Sequence, residues 1–137
     1  MSFARAMAML VFTAPVAAFA ASPFDGFWMK VNDDKSLDPG SQVEYKVDKN
    51  QVSMVTPQGA SYKARLDGSD APMANHPNTT HVSVKLEGRN VLVETAKSGG
   101  KPWYVTTMEV QPDGKTAKVS WKNLKTNQAG SYVMSKQ

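Results

Sequence analysis

The chain has 137 residues, with sixteen Lys or Arg against twelve Asp or Glu, a formal net charge of +4, and no cysteine. The basic excess is mild and its lysines are scattered, so no clustered positive patch of the kind that lines a nucleic-acid groove can be drawn. The lack of cysteine excludes disulfide staples and the lipid-accepting thiol of a bacterial lipoprotein.

Residues 1–20 stand apart. They carry one charge, Arg5, then Ala, Met, Leu, Val and Phe almost without a break, then Pro15 and the small-x-small triplet Ala18-Phe19-Ala20. This pattern predicts a secretory signal cut after Ala20. Its apolar run is shorter than the roughly 20 residues of a membrane-spanning helix, so the mature chain is expected to have no span and to reside in the periplasm or the medium. The remaining 117 residues, 21–137, keep fifteen basic and twelve acidic side chains and suffice for a single domain with one modest core.

From residue 21 onward, period-two alternation dominates. Pro23-Phe24-Asp25-Gly26-Phe27-Trp28 places a turn, a glycine and a large aromatic at the head of a first strand. Asn32, Asp33, Asp34 and Asp38 then form a polar connection; it lacks the glycine of a calcium loop and contains Lys35, so it reads as a solvated link. Val43, Tyr45 and Val47 alternate with polar residues as a half-buried strand. After the turn Asp48-Lys49-Asn50, residues 51–56 and 60–66 form two more strands around Pro57-Gln58-Gly59, the second with Tyr62, Ala64 and Leu66 on one face.

Residues 67–78 hold two prolines, two asparagines and a glycine, and are expected to be a long connection, unsuited to a central strand. Residues 80–86 alternate Val82, Val84 and Leu86 against His81, Ser83 and Lys85, and Glu87-Gly88-Arg89-Asn90 turns the chain into a strand over 91–96. Ser98-Gly99-Gly100 opens a further hairpin. The strand over 101–110 has apolar groups on both faces, Trp103 and Val105 on one and Tyr104, Met108 and Val110 on the other, and its orientation stays open. Gln111-Pro112-Asp113-Gly114 is a strong turn signal. Ala117, Val119 and Trp121 then share a strand face, and residues 130–136 close the chain with Tyr132 and Met134 together.

About nine short strands joined as consecutive hairpins predict an all-β protein, an up-and-down antiparallel meander that closes into a barrel and so hides its edges. A two-sheet sandwich is the competing arrangement.

Phe24, Gly26 and Trp28 resemble the Gly-x-Trp opening of lipocalins and fatty-acid-binding proteins, the calycin group. More closely, residues 23–137 resemble a family of small exported bacterial lipocalin-like proteins, through Pro23-Phe24-x-Gly26-x-Trp28-x-x-x-Asn32-x-x-Lys35-Ser36, Asp67-Gly68-x-x-x-Pro72, Val82-Ser83-Val84-Lys85, Asp113-Gly114-Lys115-Thr116 and Tyr132-x-Met134-x-Lys136. Asn75-His76-Pro77 departs from the Gly-Asn-Pro-like turn usual there. The resemblance implies a barrel of lipocalin type, with Gly26, Trp28 and Lys136 as a structural plug at the closed end. In this arrangement Lys136 stands over the Trp28 ring in a cation–π contact. It implies an apolar small molecule as ligand and no chemistry.

No nucleophile–base pattern appears. There is no Cys and no Gly-x-Ser-x-Gly, and His76 and His81 lie an odd number apart, which in an extended chain sends them to opposite faces. Asp70 is the nearest carboxylate to them in sequence. No catalytic residue, metal ligand or cofactor site is therefore assigned. The face carrying Tyr45, Val47, Tyr62, Ala64, Val84, Val93, Val119, Trp121 and Tyr132 is expected to line the barrel interior, apolar with a few phenolic hydroxyls. Two functions follow from it: binding a hydrophobic or amphipathic small molecule in a hollow barrel, or, if the barrel is filled, acting as an interaction module that binds an envelope protein or inhibits an enzyme through Trp103, Tyr104 and residues 67–78.

Overall fold

The computed structural model describes residues 21–137; the expected secretory signal at 1–20 lies outside the described residues. Ten antiparallel strands follow one another as β1 (Gly26–Val31), β2 (Leu37–Asp48), β3 (Gln51–Val55), β4 (Ser61–Arg65), β5 (Asp67–Ala74), β6 (His81–Glu87), β7 (Val91–Ser98), β8 (Lys101–Val110), β9 (Thr116–Asn123) and β10 (Ala129–Lys136). Each pairs with its sequence neighbours, and β1 also pairs with β10, which closes the barrel. The architecture is the all-β up-and-down barrel expected of a lipocalin or fatty-acid-binding-protein type, and it excludes the open sandwich.

Closure depends on register. Trp28 sits opposite Lys136 on β10 and Val43 on β2, and Val31 sits opposite Val133 and Leu37. Between Trp28 and Lys30 the pairing with β2 slips, and the Ser41 hydroxyl accepts the Lys30 amide proton at 2.7 Å, so the donor freed by the bulge keeps a partner. One end of the barrel is sealed by the N-terminal segment. Phe24 and Trp28 are fully buried, the Trp28 indole donates to the Phe24 carbonyl at 2.8 Å, and the Asp25 carboxylate accepts the Val47 amide at 2.7 Å.

Lys136 crosses Gly26 to reach this plug. Its Nζ lies 5.1 Å from the centre of the Trp28 ring and donates to the Pro23 carbonyl at 3.1 Å, while its stem passes 3.4 Å from where a Gly26 Cβ would stand. Gly26 has φ +130°, a conformation that side-chain-bearing residues rarely adopt, so glycine meets both constraints here.

The structure corrects the reading of residues 67–78 as a connection: Asp67–Ala74 is a full strand, which raises the count from about nine to ten. Two devices let it stand between two neighbours. A bulge between Asp67 and Asp70, with Gly68 at φ +85°, shifts the register against β6. Met73 donates its amide toward β6, at the Thr80 carbonyl, so the donor missing from Pro72 falls on the β4 side. There the ladder pairs only Ala74 with Ser61 and Met73 with Tyr62, and Pro72 leaves no bond broken.

The core runs along the inward phase of every strand, from Val52, Ala64, Val82, Val84, Leu92 and Val110 to Ala117, Val119 and Met134. Trp28→Ala removes the largest fully buried side chain. It is expected to cost about 3 to 5 kcal/mol, read as a lowered denaturant midpoint; a midpoint equal to wild type would contradict the role of Trp28 as the plug.

Candidate functional site

Toward the end away from Trp28, the barrel is hollow. A cavity of about 250 Å³ is bounded by residues of β2, β3, β5, β7, β8, β9 and β10, including Tyr45, Tyr132 and Glu94. Four methionines, Met54, Met73, Met108 and Met134, also line it. Thioether side chains are flexible and polarisable and fit varied shapes. A larger surface hollow of about 630 Å³ lies beside Asp48, Asn50 and Arg65, but its walls are mostly exposed turn residues remote from any enclosed group.

Glu94 is the one acidic side chain in the cavity wall. It reaches the interior because β7 pairs with β6 as Leu86–Leu92, Val84–Glu94 and Val82–Ala96, and with β8 as Glu94–Thr106. Tyr62, from β4 and 32 residues earlier, donates its phenolic proton to Glu94 Oε2 at 2.5 Å. Burial pushes the Glu94 carboxyl above the ordinary value of 4.5, and the Tyr62 hydrogen bond opposes that push. Burial first, and then the nearby Glu94 charge, raise the Tyr45 and Tyr62 phenols well above 10.0. Tyr132 is raised by burial, then by Tyr104 and Glu94. The phenols therefore stay protonated at neutral pH, and Tyr62 is the one that donates to the Glu94 carboxyl.

The nine residues read from the sequence as interior separate into groups. Tyr45, Val119 and Tyr132 line the cavity, and Tyr62 reaches it through Glu94. Ala64 and Val84 are sealed in the packed core, with Val47 against its edge. Trp121 stacks on Tyr104 with ring centres 5.8 Å apart and planes within 8°, and covers Gly130, where a Cβ would come within 2.8 Å of the indole. Val93 is a correction: it lies in the outward phase, opposite exposed Lys85 and half-buried Thr107, and Glu94 occupies the inward position next to it. The odd phase of β7, with two valines and a threonine, is the more β-branched one and drew the assignment. The signal that finds Glu94 is the three-residue loop Gly88-Arg89-Asn90, which aligns even residues of β6 with even residues of β7.

The orientation of β8 is settled in the same way. Tyr104, Thr106, Met108 and Val110 share the inward phase, and Trp103 sits at a register shift, its indole donating to the Thr79 hydroxyl at 3.2 Å. His76 lines the cavity and its Nδ1 accepts the Asn78 amide, whereas His81 is exposed on β6. Asp70 is engaged outside, in an ion pair with Lys97 at 2.6 Å. Among the described residues no group of three or more His, Cys, Asp or Glu is placed to hold a metal ion.

No family model matches the chain, and neither a curated protein nor a solved structure matches it.

The raised Glu94 value fixes the sign of a stability effect. A carboxyl held above its unfolded-state value binds its proton more tightly when folded, so its stabilisation is complete below about pH 4.5 and is lost as pH rises through the folded-state value. Glu94→Gln keeps an acceptor for Tyr62 and removes the titration. The variant's melting temperature is expected to gain on wild type as pH rises from about 4.5 through the folded-state value of Glu94, and to gain no further above it; parallel curves would contradict a desolvated carboxyl at this position.

Proposed function

We propose that the chain is an exported, non-enzymatic lipocalin-like protein of the calycin type that binds a small apolar or amphipathic molecule inside its barrel. The observation that carries this reading is the cavity of about 250 Å³ lined by Tyr45, Glu94, Val119, Tyr132 and four methionines. Barrels of this size are readily filled by their own side chains, and native interiors seldom leave space larger than a water molecule. A hollow walled by methionines and phenol rings, with Ser41, Thr56, Glu94 and Thr106 as polar groups among them, has the mixed make-up of a site for an amphipathic small molecule. The plug of Gly26, Trp28 and Lys136 supports the calycin resemblance, and the pattern of residues 1–20 supports export.

Native mass spectrometry of protein purified gently from its host tests the reading, together with titration of tryptophan fluorescence by a panel of short apolar and amphipathic molecules. A co-purifying small molecule, or a saturable response to a member of the panel, is expected. An apo mass with no response to any member would contradict cavity binding.

A further inference from the structure

We infer that the cavity recognises a small protonated amine on an apolar body, with the ammonium bound by Glu94 beside the rings of Tyr45 and Tyr132. This rests on the reading of the barrel as a small-molecule binder and specifies the head group.

The first argument is the state of the carboxylate. Glu94 Oε2 accepts the hydrogen bond of the Tyr62 hydroxyl, no protein hydrogen bond reaches Oε1, and no buried side-chain polar atom is left sealed without a partner, so Oε1 opens onto the cavity. The ion pair among the described residues, Lys97 with Asp70, lies elsewhere. Glu94 is half-buried and has no cationic partner in the chain, and a cationic ligand would supply one.

The second argument is the charge of the wall. It contains Glu94 and no Lys or Arg; His76 is its one basic side chain, and Lys30 lies against the Tyr132 ring, 5.5 Å from its centre, outside the lining. A fatty acid or other anion would bring a second carboxylate toward Glu94, where like charges repel. An ammonium donates a charge-assisted hydrogen bond to Oε1 and gains cation–π attraction from the flanking phenol rings. Protonated phenols hold the ring faces electron-rich and uncharged.

The third argument is size. At about 250 Å³ the hollow falls below the roughly 300–1,000 Å³ of drug-sized sites, which suits a single ring or a short chain. The methionines Met54, Met108 and Met134 offer that body a soft wall.

Isothermal titration of residues 21–137 at about pH 8 with three probes of one shape tests the inference: phenethylamine, 2-phenylethanol and 3-phenylpropionate. The amine is expected to bind more tightly than the alcohol by about ten- to a hundredfold, the usual worth of a hydrogen bond to a charged group, and the carboxylate more weakly than either. Glu94→Gln is expected to remove that preference, leaving amine and alcohol bound with similar strength; its far-ultraviolet circular dichroism reports whether it folds, and the comparison of probes on wild type stands without it. Alcohol or carboxylate binding as tightly as the amine would overturn the amine assignment and leave cavity binding intact. Failure of all three to bind would overturn both.

Discussion

Everything in the barrel depends on β1 being shared. It pairs with β2 on one side and with β10 on the other, and that double pairing turns a meander into a closed wall with no free edge. Trp28 stands at the shared position, opposite both Lys136 and Val43, so that one residue sits at the seam and at the bottom of the core. The chain has no disulfide to hold the seam. The indole hydrogen bond to Phe24, the Asp25 carboxylate on the Val47 amide and the Lys136 stem over Gly26 do that work locally. Packing at this end is dense, and the hollow is displaced toward the other.

The same closure gives Glu94 its character. An inward acid on an open, one-sided sheet would be hydrated; in a closed barrel it is brought among Tyr45, Tyr62 and Tyr132, and burial raises the values of all four. The bond from Tyr62 links β4 to β7 across the interior, between strands that are not neighbours in the sheet. A part-buried polar pair of this kind holds geometry at a cost in stability, and it leaves one carboxylate oxygen without a protein partner.

Much of the fold was legible in the sequence because alternation and turns are local. Val43, Tyr45 and Val47, or Ala117, Val119 and Trp121, declare an inward face by themselves, and Gln111-Pro112-Asp113-Gly114 declares a turn. Within the expected connection 67–78, residues 75–78 are loop, and Asp67–Ala74 is a strand because proline and glycine do not break it: Pro72 sits where its neighbour supplies no partner, and Gly68 where a bulge resets the register. The site was less legible. Tyr45, Val119 and Tyr132 were visible as interior residues. Glu94 was hidden, since its phase on β7 is set by pairing with β6 and the hydrophobic pattern favoured Val93. Its partner Tyr62 comes from three strands earlier, a distance that periodicity does not span.

The inward phase of β7, the closure of the barrel and the desolvation of the cavity meet in one carboxyl group. Carbon-detected nuclear magnetic resonance of the Glu94 side chain, titrated with pH and assigned by comparison with Glu94→Gln, tests them most directly. The account predicts a midpoint clearly above the ordinary 4.5 for Glu94, with the Tyr62 ring signals shifting at the same midpoint. A midpoint at or below the ordinary value, with Tyr62 unresponsive, would place Glu94 in water and contradict the enclosed site.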